Sequence, residues 1–126
     1  MDVTPLIKQG QQVIQSYAGG TFRVNGTLYK TALIVTPDST CEWKTVAQVS
    51  DLKEADFAPL IEMAGDIDVV LLGCGASIEF LGPMLKSALK NKGLSIEVMD
   101  TGAACRTYNV LMAEGRRVAA ALLPAA

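Results

Sequence analysis

The chain has 126 residues, half of them apolar, so we expect one folded domain over residues 1–126 and exclude an intrinsically disordered polymer. The net charge of −2 and the pI near 5.0 argue against a non-specific binder of nucleic acid or anionic membranes, which needs excess lysine and arginine. The absence of histidine excludes Ser-His-Asp and Cys-His catalysis and histidine-dependent zinc sites.

The first elements along the chain have the pattern of strands and turns, from residue 13 to residue 43. Residues 21–24 and 27–30 flank the dipeptide Asn25-Gly26, which favours the positive φ angles of a type I′ turn. Because this turn has the twist of a two-residue hairpin, we predict a β-hairpin here.

Further strands are predicted directly after the hairpin. Residues 32–35 are apolar and stop before Pro37, and residues 41–43 can begin another short strand. We therefore predict that the N-terminal third of the chain is a small antiparallel β-meander.

The spacing of apolar residues then becomes helical. Four apolar residues at positions i, i+3, i+4 and i+7 share one helical face: Phe57, Leu60, Ile61 and Ala64. Gly65 follows and can take the left-handed position that ends a helix. Residues 68–72 are apolar on both faces, which predicts a strand covered on two sides.

A second helix and strand follow. Leu81, Leu85 and Leu89 recur every four residues and predict a helix that stops at residues 91–93. Residues 95–99 then have the composition of a strand.

A third helix and a last strand complete the chain. Asp100 or Thr101 can cap a helix that runs through Glu114, and Gly115 can end it. Residues 118–123 predict an apolar strand. The order, a β-meander followed by α-β-α-β-α-β, predicts the α/β class with right-handed parallel crossovers.

The cysteines bear on the cellular compartment. The chain has three cysteines, an odd number with no CxxC pair, so neither a disulfide framework nor a metal site is indicated: Cys41, Cys74 and Cys105.

The first ten residues lack the pattern of a secretory signal, and no apolar run approaches the ~20 residues of a membrane span. We expect a cytoplasmic protein that is not integral to a membrane and has no cofactor.

Two loops follow predicted strands, at the end of the sheet where α/β proteins tend to bind ligands. The first loop, residues 73–77, begins like the dinucleotide fingerprint GxGxxG, but its third glycine position is Ile78 and no GK[ST] follows. A nucleotide site is therefore weakly supported. We favour the interpretation that Gly73 and Gly75 let the backbone turn sharply beneath a neighbouring loop.

The second loop, residues 100–106, enters the third helix. Unpaired N–H groups at a helix start and the charge of Arg106 could bind a carboxylate or phosphate. In the alternative, Asp100 or Thr101 caps the helix and Arg106 pairs with an acidic neighbour. The helix start and Arg106 could also lower the pKa of the Cys105 thiol and make it reactive, but cysteine beside small alanines is more often buried.

These observations define a candidate binding crevice between the two loops and no catalytic or metal-binding residues. Its members are Gly73, Gly75, Ser77, Asp100, Thr101, Cys105, Arg106 and Asn109.

Residues 97–111, followed by Glu114-Gly115-Arg116, resemble the most distinctive segment of the Mth-like domain family. Other matching segments are residues 14–17, 22–29, 67–75 with Pro83, and 118–123. The resemblance implies a three-layer fold: a central mixed, mostly parallel sheet with flanking helices and an N-terminal β-meander. It also implies that the last strand runs antiparallel to the rest.

The resemblance implies less about function than about fold. The family includes the mitochondrial respiratory complex I assembly factor and an adipogenesis-associated protein, and it has no established enzymatic activity. Of the crevice residues, Gly73, Gly75, Asp100, Thr101, Cys105, Arg106 and Asn109 match the family without a known chemical role.

Our leading hypothesis is a non-catalytic binding or assembly domain that acts on complex I or another complex through protein contacts and an exposed apolar patch. The alternative is a small-ligand (anion) binding protein or enzyme that uses the crevice formed by loops 73–77 and 100–106. Self-association of the chain is a third possibility.

Overall fold

The computed structural model describes residues 10–44 and 48–125, and this part of the chain forms two sheets and three α-helices. The first nine residues, where the absence of a secretory signal was predicted, lie outside the described residues. In the first sheet, β1, β2 and β3 span Ile14–Ser16, Phe22–Val24 and Thr27–Tyr29. In the second, β4 to β8 span Leu33–Val35, Thr40–Glu42, Val69–Gly73, Ile96–Met99 and Val118–Leu122.

The predicted hairpin is confirmed. β2 and β3 pair antiparallel, with Val24 opposite Thr27. Between them Asn25 and Gly26 have φ angles of 47° and 84°, as a type I′ turn requires. The Asn25 side chain also accepts a hydrogen bond from the Val13 N–H at 2.8 Å, which connects the turn to the chain entering β1.

The predicted meander is correct for β1–β3 only, because β4 and β5 belong to the larger sheet. The reason lies in the residues of β4: Leu33, Ile34 and Val35 are all buried. A strand that is apolar on both faces needs cover on two sides, and only the larger sheet supplies it.

The larger sheet has the strand order β5-β4-β8-β6-β7. β7 and β8 both run parallel to β6, whereas β4 is antiparallel to β5 and β8. The sheet is therefore mixed and mostly parallel. The expectation that the last strand opposes the rest is wrong, because the helix between β7 and β8 crosses the sheet and returns the chain in the same direction.

The helices differ in length from the predictions. The structure has α1 at Ala58–Glu62, α2 at Pro83–Asn91 and α3 at Thr101–Ala113, with 3₁₀ turns at Val49–Asp51, Glu54–Phe57 and Ala64–Asp66. None of the helices in the described ranges has the length and apolar character needed to cross a membrane.

Two predicted helix ends are wrong. Gly65 does not take a left-handed conformation, since the chain tightens into a 3₁₀ turn there. Leu81 precedes α2, which begins at Pro83 because proline suits the first helical position. The predicted stop at Gly115 is confirmed by its φ of 81°.

Both faces of the larger sheet are covered, which gives the three layers. Alternate residues of each strand point to opposite faces. The face covered by α1 and α2 includes Ile34, Val70, Leu72, Phe57, Leu60 and Leu89. The face covered by α3 and the small sheet includes Ile14, Phe22, Leu33, Leu71, Tyr108 and Ala120. Small residues of β8, Ala119 to Ala121, let both outer layers approach the sheet.

We expect Ala120→Leu to destabilise the fold by about 1–3 kcal/mol, because a larger side chain must enter a position with no exposed surface. The free energy of unfolding, measured in urea, checks this. Ala58→Leu is the matched control at an exposed position of α1 and should change the free energy by less than about 0.5 kcal/mol. Equal stability of the two variants would contradict the packing described here.

Candidate functional site

The two loops of the candidate crevice are joined by the side chain of Thr101, the first residue of α3. Its hydroxyl is completely buried, accepts a hydrogen bond from the Gly75 N–H at 2.8 Å and donates one to the Leu123 carbonyl at 2.6 Å. The Thr101 N–H donates to the Gly75 carbonyl at 2.9 Å. One threonine therefore connects the ends of β6 and β8 to the start of α3.

The glycines of the first loop make this approach possible. A Cβ on Gly73 would lie 2.9 Å from Thr101 Oγ1, a distance that real Cβ atoms essentially never show, and 3.0 Å from Thr101 Cα, which is tighter than most real Cβ contacts. Gly75 has a φ of 100°, which other residues rarely adopt. The turn interpretation therefore fits Gly75, whereas Gly73 lies at the end of β6 and leaves space for Thr101.

The start of α3 is capped by Asp100, as predicted. The Asp100 carboxylate accepts a hydrogen bond from the Ala103 N–H at 2.8 Å. Arg106 is exposed, and its partner is an aromatic residue rather than an acidic one: Nη1 donates to the Tyr17 hydroxyl at 2.6 Å. The Arg106 Cζ also lies 6.0 Å from the centre of the Tyr17 ring, so the guanidinium lies over the side chain of the residue that follows β1.

The thiol of Cys105 has the environment of a core residue. Cys105 is buried against the α3 face of the sheet, and this burial raises the pKa of its thiol to about 12 despite the neighbouring Arg106. The hypothesis of a reactive thiolate at Cys105 is therefore wrong. Burial also raises the pKa of the Cys74 thiol, which lies on the opposite face.

Asn109 has a clear structural role. Its side-chain amide accepts a hydrogen bond from the Ile14 N–H at 3.0 Å and donates one to the Ile14 carbonyl at 2.8 Å. Nearby, the hydroxyl of the buried Tyr108 donates to the Gln12 carbonyl at 2.8 Å. These bonds attach the small sheet to α3.

The structure thus brings only part of the predicted set together. Gly73, Gly75, Asp100 and Thr101 meet where the two loops join, whereas Ser77 is exposed beyond them. Cys105 and Asn109 point toward the core and β1. An anion-binding crevice at these residues stays a prediction.

The sequence predicted an exposed apolar patch without locating it, and the structure places one beside the first loop. Ile78, Phe80 and Met84 have 65%, 84% and 87% of their surface exposed. This patch borders an apolar groove of about 450 Å³, lined by residues 78–81, by Pro83 and Lys86 of α2, and by Val98 of β7. A signal existed in the sequence: Ile78 and Phe80 are large apolar residues in a segment where neither strand nor helix periodicity requires them.

A second groove, of about 710 Å³, lies at the opposite end of the sheet and has mixed polar lining. At its rim Arg117 Nη2 donates to Asp68 Oδ1 at 2.7 Å, and this hydrogen bond lowers the pKa of the Asp68 carboxyl. Both groups are exposed, so the pair is solvated and neutral as a whole. The apolar groove is therefore the stronger candidate for a binding surface.

A family model, a sequence relative and a solved structure all match this chain over most of its length, and the solved structure has the same fold. A family model described as "Protein of unknown function (DUF498/DUF598)" matches residues 14–123. An uncharacterised protein of Rhodobacter capsulatus is 37% identical over 91% of this chain and 86% of its own length. A Bordetella pertussis protein described as an Mth938-like domain has a solved structure with a TM-score of 0.79 and 28% identity, covering 98% of this chain and 92% of that one.

A further relative has a name that refers to assembly. The Bos taurus protein named "NADH dehydrogenase [ubiquinone] 1 alpha subcomplex assembly factor 3" is 35% identical over 88% of this chain. The match spans 60% of the length of the bovine protein.

We expect Thr101→Val to lower the free energy of unfolding by at least about 2 kcal/mol, because it leaves the Gly75 N–H and Leu123 carbonyl buried without partners, at about 1–3 kcal/mol each. Thr101→Ser retains the hydroxyl and is the control. Urea unfolding measures both variants, and a valine variant as stable as the serine variant would refute this role of the hydroxyl.

The cysteines should differ in their reaction with iodoacetamide at pH 8. Exposed Cys41 should be alkylated first, whereas Cys105 should stay unmodified until the protein unfolds, because it is buried and its pKa is near 12. Mass spectrometry of proteolytic peptides locates the label. Modification of Cys105 at the rate of Cys41 in the folded protein would show that the thiol is accessible.

Proposed function

The chain belongs to the DUF498/DUF598 family, and from this premise we propose that it is a non-catalytic protein-binding domain that helps to assemble a larger protein complex. Several relatives that match most of its length are named as assembly factors. The matched segment is only part of those relatives, so the proposal concerns what this segment itself contributes.

The observation that carries the proposal is the exposed apolar patch. Phe80 and Met84 leave most of their side-chain surface in water, and burial of such a side chain against a partner contributes about 1.5–3 kcal/mol. Aromatic residues and methionine are enriched in protein interfaces. Because the patch adjoins a groove, a partner can bury these side chains and fill the groove in one contact.

The chemistry of the two loops supports a function without catalysis. Buried Thr101 satisfies its hydroxyl with backbone partners, and the thiol of Cys105 is protonated at neutral pH because its pKa is near 12. The end of the sheet where many α/β enzymes bind substrate is here filled by structural hydrogen bonds.

The name of the bovine relative suggests the kind of complex. We assign to this chain a protein partner from a respiratory NADH dehydrogenase or from another multi-subunit complex. Its free cysteines fit a reducing compartment, so we place this binding in the cytoplasm.

The test is affinity purification of the tagged full chain from its native host under mild conditions. We expect a stable protein partner to co-purify with the wild type and to be lost, or reduced at least about tenfold, with Phe80→Ser or Met84→Ser. The surface variants should fold normally because these side chains are exposed.

Val110→Ser is the matched control, since Val110 is an exposed apolar residue on α3, away from the groove. It should recover the partner at the wild-type level. Failure to recover any partner, or equal recovery with Phe80→Ser, would refute the proposed function.

A further inference from the structure

Lysines of α2 border the apolar groove. Lys86 is one of the lining residues, and Lys90 follows it by four residues in the same helix. Residues four apart in a helix share one face, with Cβ atoms about 5–6 Å apart. Both lysines are exposed, so two ammonium groups lie one helical turn apart beside the groove.

These lysines have no acidic partner among the described residues. Within residues 10–44 and 48–125 the ion pair is Arg117–Asp68, at the opposite end of the sheet. α2 itself contains no acidic residue. Glu79 also lines the groove, yet no ion pair joins it to Lys86. The two positive charges are therefore available to a partner.

The helix dipole explains Lys90 but not Lys86. Cations are stabilised near the C-terminal end of a helix, and Lys90 is in the last turn of α2. Lys86 is in the first half of the helix, where the dipole gives a cation no such stabilisation. Its aliphatic stem instead forms part of an apolar wall with the charge at the outer end. This is the arrangement by which an interface selects an opposite charge beside an apolar contact.

We propose that the partner presents an apolar side chain flanked by carboxylates: the apolar side chain fills the groove, and aspartate or glutamate residues pair with Lys86 and Lys90. This inference rests on the proposed function and specifies the chemistry of the partner. Two carboxylates four residues apart on a partner helix have the spacing of the two lysines. Burial of Phe80 supplies affinity, whereas the charges guide association and select the partner.

A second copy of this chain fits the same surface less well. In a symmetric pair the same patch lies on both subunits. Each copy would bring Lys86 and Lys90 but only one carboxylate from the groove, that of Glu79. One ammonium group on each copy would then stay without a partner, whereas a separate acidic segment can satisfy both.

An anionic membrane is disfavoured as well. Helices that bind at the membrane interface carry a polar face rich in lysine and arginine, opposite an apolar face. Here Glu79 lies in the same groove as Lys86, and the net charge of the chain is −2, so a uniformly anionic lipid surface meets repulsion. A protein segment can place its carboxylates at the lysines and avoid Glu79.

The first test uses the complex that the tagged full chain recovers from an extract of its native host. Lys86→Glu/Lys90→Glu should recover at least about tenfold less partner, because like charges would then face each other. Lys86→Arg/Lys90→Arg keeps both charges and should recover the wild-type amount. Lys30→Glu is the matched charge-reversal control at an exposed lysine directly after β3, on the other side of the larger sheet, and it should also have no effect.

Carbodiimide cross-linking of the wild-type complex gives a readout that does not depend on a variant. The reagent joins a lysine amine to a carboxylate that is in contact with it, and mass spectrometry of proteolytic peptides identifies the two residues. We expect Lys86 or Lys90 to be joined to an aspartate or glutamate of the partner. A complex that gives no cross-link from either lysine to the partner would overturn the proposal.

The outcomes separate this contact from the proposed function. A partner lost with Phe80→Ser but fully recovered with Lys86→Glu/Lys90→Glu would refute the charge contact alone, and failure to recover any partner would refute both. A wild-type dimer in light scattering that dissociates in the glutamate double variant would overturn the proposal, since the occupant would be a second copy. Sedimentation of the wild type with phosphatidylserine vesicles, abolished in the same variant, would overturn it in favour of a lipid surface.

Discussion

The buried hydroxyl of Thr101 is the interaction on which the arrangement of this protein depends. It joins β6, β8 and α3 at the carboxyl end of the sheet, and Gly73 leaves the space that the threonine occupies. In many α/β proteins this end of the sheet binds the ligand. Here the backbone groups that meet at this position are hydrogen-bonded to the Thr101 hydroxyl.

The surface that remains lies just beyond the first loop. Between Gly75 and α2, the side chains of Ile78 and Phe80 are exposed. The neighbouring strand, β7, is at the end of the larger sheet. Large apolar side chains exposed together are unfavourable in an isolated domain. Their occurrence beside one groove is understandable if a partner covers them.

The sequence predicted the features that depend on near neighbours. The Asn25-Gly26 turn, the Asp100 cap and the glycine at 115 follow from local backbone chemistry, and all three are confirmed. Features decided by distant contacts were not predictable. Arg106 contacts Tyr17, which follows β1 and is distant in sequence. The direction of β8 depends on the α3 crossover, and the exposure of Phe80 depends on how the rest of the chain packs.

We propose that this chain binds a protein through residues 78–84, and not at the loops joined by Thr101. Hydrogen–deuterium exchange of the chain, free and within the complex purified from its host, tests this most directly. We expect new protection at residues 78–84 and no change at residues 73–77 and 100–106. Protection confined to residues 73–77 and 100–106 would contradict it.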